Sequence, residues 1–206
     1  MENYKKNFEI LKKNHVYSED MEHDACGVGL IASTEGKKSR KVVEYGIEAL
    51  KAVWHRGAVD ADGKTGDGAG IHVEIPKDFF IEKIEVTGHA HDNSEICVGM
   101  IFLPRNDYAA QESCKTIVES ELTKNDFSIY GWRQVPVNPK VLGEKAFQTM
   151  PEIIQVLFKS NDPELLNKDL ERKIYETRRI IENKAFQISL NNFYICSLSS
   201  KSIIYK

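Results

Sequence analysis

Strand-like and helix-like segments are interspersed along this chain without alternating one for one, and that order restricts the fold more than any other feature. Residues 27–33, 71–76 (IHVEIP), 95–103 (EICVGMIFL), 127–137 (FSIYGWRQVPV) and 152–158 (EIIQVLF) read as strands, bounded by turn residues. Ser39 can cap a helix reaching Trp54, because Val43, Ile47, Leu50 and Trp54 recur at helical spacing. A second helix is predicted over 108–124, with Cys114, Ile117, Val118 and Leu122 on one side. A third is predicted over 163–184, with Leu166, Leu170, Ile174, Thr177 and Ile181 inward. FYICSLS and SIIYK read as a closing hairpin over Ser199-Ser200-Lys201, so neighbouring strands near the end are antiparallel. The prolines after residue 134 demote the end of the third strand region to a sheet edge. Layered antiparallel sheets with helices packed outside suit this order better than a doubly wound parallel sheet. The chain closes on an apolar strand pair at Lys206, which reads as a fragment of a longer polypeptide.

At 206 residues roughly 70% of the unfolded chain's surface can be buried, so no disulfide or metal staple is required. The net charge of −3 gives no electrostatic reason to expect a nucleic-acid or anionic-membrane partner. No apolar run approaches a membrane span, and the first 25 residues lack the apolar core of a secretory signal. A cytoplasmic protein is expected. Those 25 residues are mostly polar, with Phe8, Leu11 and Val16 able to line one face of a short helix.

The cysteines at 26, 97, 114 and 196 show none of the paired spacings that hold zinc or iron–sulfur clusters. Three of them sit inside apolar patterns and read as buried thiols. Cys26 instead stands between the polar leader and Gly27-Val28-Gly29-Leu30-Ile31-Ala32. A thiol with a pKa of about 8.5 needs a base to act as a nucleophile. A histidine from elsewhere can serve. So can the residue's own α-amino group, of pKa about 7.7–8.0, if removal of the leader makes Cys26 the first residue. A small residue heading a glycine-bearing strand also needs no chemistry at all. The same stretch fits G-x-G-x-x-A, but it neither follows a strand nor opens a helix, so it is not a dinucleotide fingerprint.

Further along, His55-Arg56-Gly57 follows the first long helix, and Ala58 to Gly70 (AVDADGKTGDGAG) is a loop of glycine and aspartate. Arg56 can answer the helix dipole from solvent, or grip a carboxylate with its planar fork. Gly66, Gly68 and Gly70 can let backbone amides face a ligand, and Asp67 can bond that ligand or pin the loop. The loop lacks the lysine and hydroxyl residue of a phosphate loop. His55 reads as a packed or hydrogen-bonding side chain. His89-Ala90-His91-Asp92 has a metal-like spacing without further ligands nearby, and no metal is expected.

ACGVGLIA followed by HRGAVDADGKTGDGAGIHVEIP resembles the start of the glutamate synthase large subunit, its N-terminal class II glutamine amidotransferase domain. FYICSLSSKSIIYK resembles the same family, so the likeness runs from about Met21 to Lys206. The resemblance implies an α+β fold, the four-layer αββα sandwich of N-terminal-nucleophile hydrolases with antiparallel sheets, here incomplete at its C-terminus. It implies hydrolysis of L-glutamine to glutamate and ammonia, the ammonia feeding glutamate synthesis from 2-oxoglutarate elsewhere in the subunit. By the same resemblance residues 1–25 are a cleaved propeptide and 26–206 the first part of the amidotransferase domain. Cys26 is then the nucleophile, Arg56 holds the α-carboxylate of glutamine, and Gly57 and Asp67 belong to the substrate site. No cofactor is expected in these residues. The full-length subunit is expected to carry FMN and an iron–sulfur cluster and to work with a small reductase subunit. The family's asparagine-glycine oxyanion motif is missing, since no Asn-Gly pair occurs in the 206 residues, and weak activity is expected of this piece alone. The competing readings are another N-terminal-nucleophile amide hydrolase and a non-catalytic binding domain that keeps its leader.

Overall fold

A computed structural model describes residues 2–14, 27–54, 57–66, 68–92 and 94–206. Its helices are α1 (Glu2–Asn14), α2 (Arg40–Ala52), α3 (Lys77–Val86), α4 (Tyr108–Lys124), α5 (Glu144–Thr149) and α6 (Asn167–Gln187). Its strands are β1 (Ile71–Glu74), β2 (Cys97–Leu103), β3 (Phe127–Gln134), β4 (Glu152–Ser160), β5 (Tyr194–Ser199) and β6 (Ser202–Tyr205). Two antiparallel sheets result, one ordered β3-β4-β2-β5 and the other pairing β1 with β6. The fold is α+β, with sheets between helical layers.

The four-stranded sheet buries both faces, and side-chain alternation along β4 shows how. Ile154, Val156 and Phe158 join Cys114, Val118 and Leu122 of α4 and Leu170, Ile174 and Ile181 of α6 in one core. Leu157 faces the other way, into a second core with Phe80 and Ile84 of α3 and Ile203 of β6. Asp107 caps α4 by accepting from the Ala110 amide at 2.9 Å. α4 is bolted to α6 by Glu121, which accepts from Lys184 at 2.6 Å and Lys124 at 3.1 Å. These lysines hold the Glu121 carboxyl below its usual pKa. β3 lies at the sheet edge, as the prolines after it imply, and it stops at Gln134 rather than 137.

Several expectations need correction. Residues 27–33 form no strand, and Val28 and Leu30 are 93% and 88% exposed. Strand formation needs a neighbour to share the backbone ladder, and this segment pairs with none of the six strands. Trp54 is not on the packed face of α2, because the helix ends at Ala52 and the indole is largely exposed. Leu166 precedes α6 as an exposed residue, while Ala185 joins its buried stripe. The predicted hairpin is also absent, since β5 and β6 belong to different sheets. Side chains take over where a hairpin ladder would run: Ser197 Oγ accepts from the Ile204 amide at 3.2 Å, and Ser199 Oγ from the Lys201 amide at 2.9 Å. Glu171 of α6 fixes the corner, accepting from the Ser200 amide and hydroxyl at 2.7 Å each and from the Ser199 hydroxyl at 2.9 Å. Helices α3 and α5 are not predicted by the sequence reading. The leader does contain a helix, α1, although Val16 lies outside the described residues.

Candidate functional site

α2 delivers the chain to the first motif. Its N-cap is Ser39, whose hydroxyl accepts from the Lys41 amide at 3.2 Å. Its face of Val43, Ile47 and Leu50 is only half covered, against β1. Beyond the helix, the Gly57 amide donates to the Trp54 carbonyl at 3.0 Å, and Gly57 itself is exposed. Cys26, His55, Arg56 and Asp67 lie outside the described residues. Of the residues that the resemblance assigns to the site, Gly57 alone is described, beside the loop glycines Gly66, Gly68 and Gly70.

Residues 57–66 form a small closed loop. Val59 bridges Gly66 in antiparallel fashion, and the Asp60 amide donates to the Thr65 carbonyl at 2.7 Å. Gly63 turns the tip with φ +67°, a conformation that L side chains rarely adopt. Asp62 is the hub. Its carboxylate accepts from the Thr65 hydroxyl at 2.6 Å, from the Thr65 and Lys64 amides at 2.7 and 2.9 Å, and from the Glu144 amide at 3.1 Å. The Thr65 donors foremost, with the Lys64 and Glu144 amides, draw the Asp62 pKa down to about 2. Lys145 adds an ion pair to Asp60. The loop that starts the family motif is thus tied to the first turn of α5, some eighty residues later. Sequence reasoning missed Asp62, Thr65, Gly143 and Lys145. Asp62-Gly63-Lys64-Thr65 carried only a turn signal, and α5 carried none.

After Asp67 the chain enters β1 through Gly70, where backbone crowding is severe. A Cβ there would meet the Tyr205 carbonyl oxygen of β6 at 2.9 Å. At Gly68 a Cβ would meet nothing within 4 Å, so that face of the loop is open. An apolar cleft of about 270 Å³ adjoins this point, between Leu50 of α2, Ala69 and Gly70, and Met100 and Ile153 of the large sheet. A larger polar depression of about 470 Å³ lies at His72, Glu74, Lys77 and Glu95. Lys77 pairs with Glu95 at 2.7 Å there, and no residue of the 57–66 loop lines it.

The described cysteines cannot serve as nucleophiles. Cys97, Cys114 and Cys196 are buried and free. Burial pushes all three thiols up, that of Cys114 to about 11. His89 and His91 are engaged locally, with the Thr87 hydroxyl at 3.1 Å and the Ser94 carbonyl at 3.0 Å. Asp92 pairs with Lys159 and Ser94, contacts that hold its carboxyl well below the usual range. Among the described residues no three His, Cys, Asp or Glu side chains gather to hold a metal ion. No described helix is long and apolar enough to cross a membrane.

The family-wide pattern of the class II glutamine amidotransferases matches residues 26–206. The chain belongs to that family. It is 52% identical over 203 residues to the glutamate synthase [NADPH] large chain of Azospirillum brasilense, covering 98% of this chain and 13% of that one. It is 38% identical over 203 residues to ferredoxin-dependent glutamate synthase 2, chloroplastic, of Arabidopsis thaliana, covering 97% and 12%. A similar match, 37% over 186 residues, covers 90% of the chain and 12% of ferredoxin-dependent glutamate synthase 2 of Synechocystis. The chain spans about an eighth of the length of these curated relatives. Membership makes the loop at 57–66 part of a class II glutamine amidotransferase domain.

Proposed function

We propose that this chain carries the glutaminase half-reaction of a glutamate synthase, with Cys26 as nucleophile after removal of residues 1–25. The observation that carries the reading is the 52% identity to a glutamate synthase large chain over almost the whole of this chain. The family match, which begins at residue 26, supports a working chain that starts with the cysteine. The burial of the other described thiols supports it too, since none of them is suited to attack.

The free α-amino group of Cys26 takes the thiol proton, and the sulfur attacks the side-chain amide carbon of glutamine. The proton passes to the amide nitrogen, the C–N bond breaks, and ammonia leaves behind a thioester. Water then attacks the thioester with the same amine as base, the C–S bond breaks, and glutamate departs. Arg56 grips the substrate α-carboxylate through two charge-assisted bonds, with Gly57 and Asp67 beside it. Ammonia passes to the remainder of a cytoplasmic polypeptide, where FMN and an iron–sulfur cluster support amination of 2-oxoglutarate with a small reductase subunit as partner. The residues described here do not gather a ligand set for such a cluster. Lacking an Asn-Gly pair, the 206 residues alone are slow, since one lost oxyanion donor costs on the order of 10²–10³ in rate.

The test is Cys26→Ser in the complete polypeptide. Glutamine-dependent turnover should vanish while turnover with added ammonia persists, and equal loss of both would make the cysteine structural. Intact mass of the active protein from its host must also lack residues 1–25. A retained leader locks the amine in a peptide bond and removes the base.

A further inference from the structure

We infer that Asp62, clamped between its own loop and the start of α5, is a positioning residue for glutamine recognition. The inference rests on the glutaminase reading and goes beyond it. Arg56 and Asp67, the two side chains proposed to meet substrate, flank the loop 57–66 in sequence. The Val59–Gly66 bridge draws the ends of that loop together. What sets the loop against the body of the domain is a contact across more than eighty residues, from Asp62 to the Glu144 amide at 3.1 Å, reinforced by the ion pair of Asp60 and Lys145.

The junction is close-fitting. A Cβ on Gly143 would stand 2.2 Å from the Thr65 hydroxyl, 2.3 Å from a carboxylate oxygen of Asp62 and 2.5 Å from the Thr65 amide. Any side chain at 143 must push the loop away from α5. Asp62 uses both oxygens: one takes the Lys64 and Thr65 amides, the other the Thr65 hydroxyl and the Glu144 amide. An asparagine offers one acceptor and turns the other position into a donor that faces donors. The carboxylate shapes the loop and docks it in one arrangement, and so fixes the spacing of the two chain ends that continue into Arg56 and Asp67. Displacement of a binding group by about 1 Å can cost as much as 10² in rate.

The test uses Asp62→Asn, Gly143→Ala and Thr65→Ser in the complete polypeptide. Asp62→Asn and Gly143→Ala should each raise the KM for glutamine about tenfold or more, with kcat within about threefold and ammonia-dependent turnover unchanged. Thr65→Ser keeps the hydroxyl and should behave as the parent does. Amide hydrogen exchange at Lys64 and Thr65 should quicken in Asp62→Asn whether or not glutamine is present. Faster exchange with an unaltered KM would make the clamp structural only and overturn the inference, as would unchanged exchange. Parallel loss of glutamine- and ammonia-dependent turnover in both Asp62→Asn and Gly143→Ala would also overturn it, because the effect would then be global. A parent polypeptide that uses ammonia but never glutamine would instead sink the glutaminase reading itself.

Discussion

The two sides of this molecule hold their apolar residues in opposite ways. On one side the four-stranded sheet lies under α4 and α6, and Val118, Leu122, Phe158, Ile174 and Ile181 are wholly buried. On the other side α2 has no fully buried residue, the second sheet has only two strands, and Val28, Leu30 and Trp54 stand in solvent. The loop at 57–66 belongs to the second side. Packing covers α2 and the loop after it only in part, and polar contacts add to it: Asp62 on the Glu144 amide, Lys145 on Asp60, and Lys38 on Glu74 at 2.6 Å. The contrast teaches that the loop at 57–66 is shaped by hydrogen bonds to a distant helix, while the body that carries it is shaped by burial.

The largest expected effect lies in the packed side. Phe158→Ala removes a fully buried ring that meets Phe127 edge-on at 5.3 Å. It should cost about 3–5 kcal/mol in chemical denaturation, and a loss below about 1 kcal/mol would break the distinction between the two sides. Glu171→Ala probes the corner at which β5 leaves one sheet and β6 enters the other. It strips three hydrogen bonds from Ser199 and Ser200, and Ser200 is 1% exposed. The orphaned buried donors should cost about 1–3 kcal/mol. Glu171→Gln keeps one acceptor oxygen, enough for the two Ser200 donors, and should recover part of that loss.

Periodicity made the packed side legible. The helix over 108–124 emerges with those bounds, and Cys114, Val118 and Leu122 point inward because residues three to four apart share a helix face. It failed where structure depends on a partner distant in sequence. Gly27 to Ala32 has the composition of a strand but finds no ladder, and composition cannot supply one. FYICSLS and SIIYK looked like a hairpin because their spacing allows it, yet Glu171 and three serine hydroxyls turn the chain from one sheet to the other. In the site, Cys26, Arg56 and Asp67 stood out in the sequence itself and took their roles from the resemblance; they lie outside the described residues, so those roles rest on the proposals above. Asp62 was illegible for a different reason: its decisive partner is a backbone amide at residue 144, and amides carry no sequence signal.

The smallest effect sharpens the contrast most. Leu30 is 88% exposed and belongs to a segment that pairs with no strand. Leu30→Ser in this chain should therefore change stability by no more than about 0.5 kcal/mol, the range of ordinary surface substitutions. A Phe158→Ala control in the same denaturant series shows that the assay can detect a packed residue. If Leu30→Ser costs more than about 1.5 kcal/mol, the side chain is buried in solution and the thin side has a covering layer after all. Repeating the substitution in the complete polypeptide separates two causes of exposure. A small cost there too means that Gly27 to Ala32 is kept open beside the proposed nucleophile. A large one means that the remainder of the polypeptide covers the segment, so that burial as well as hydrogen bonding shapes the working site.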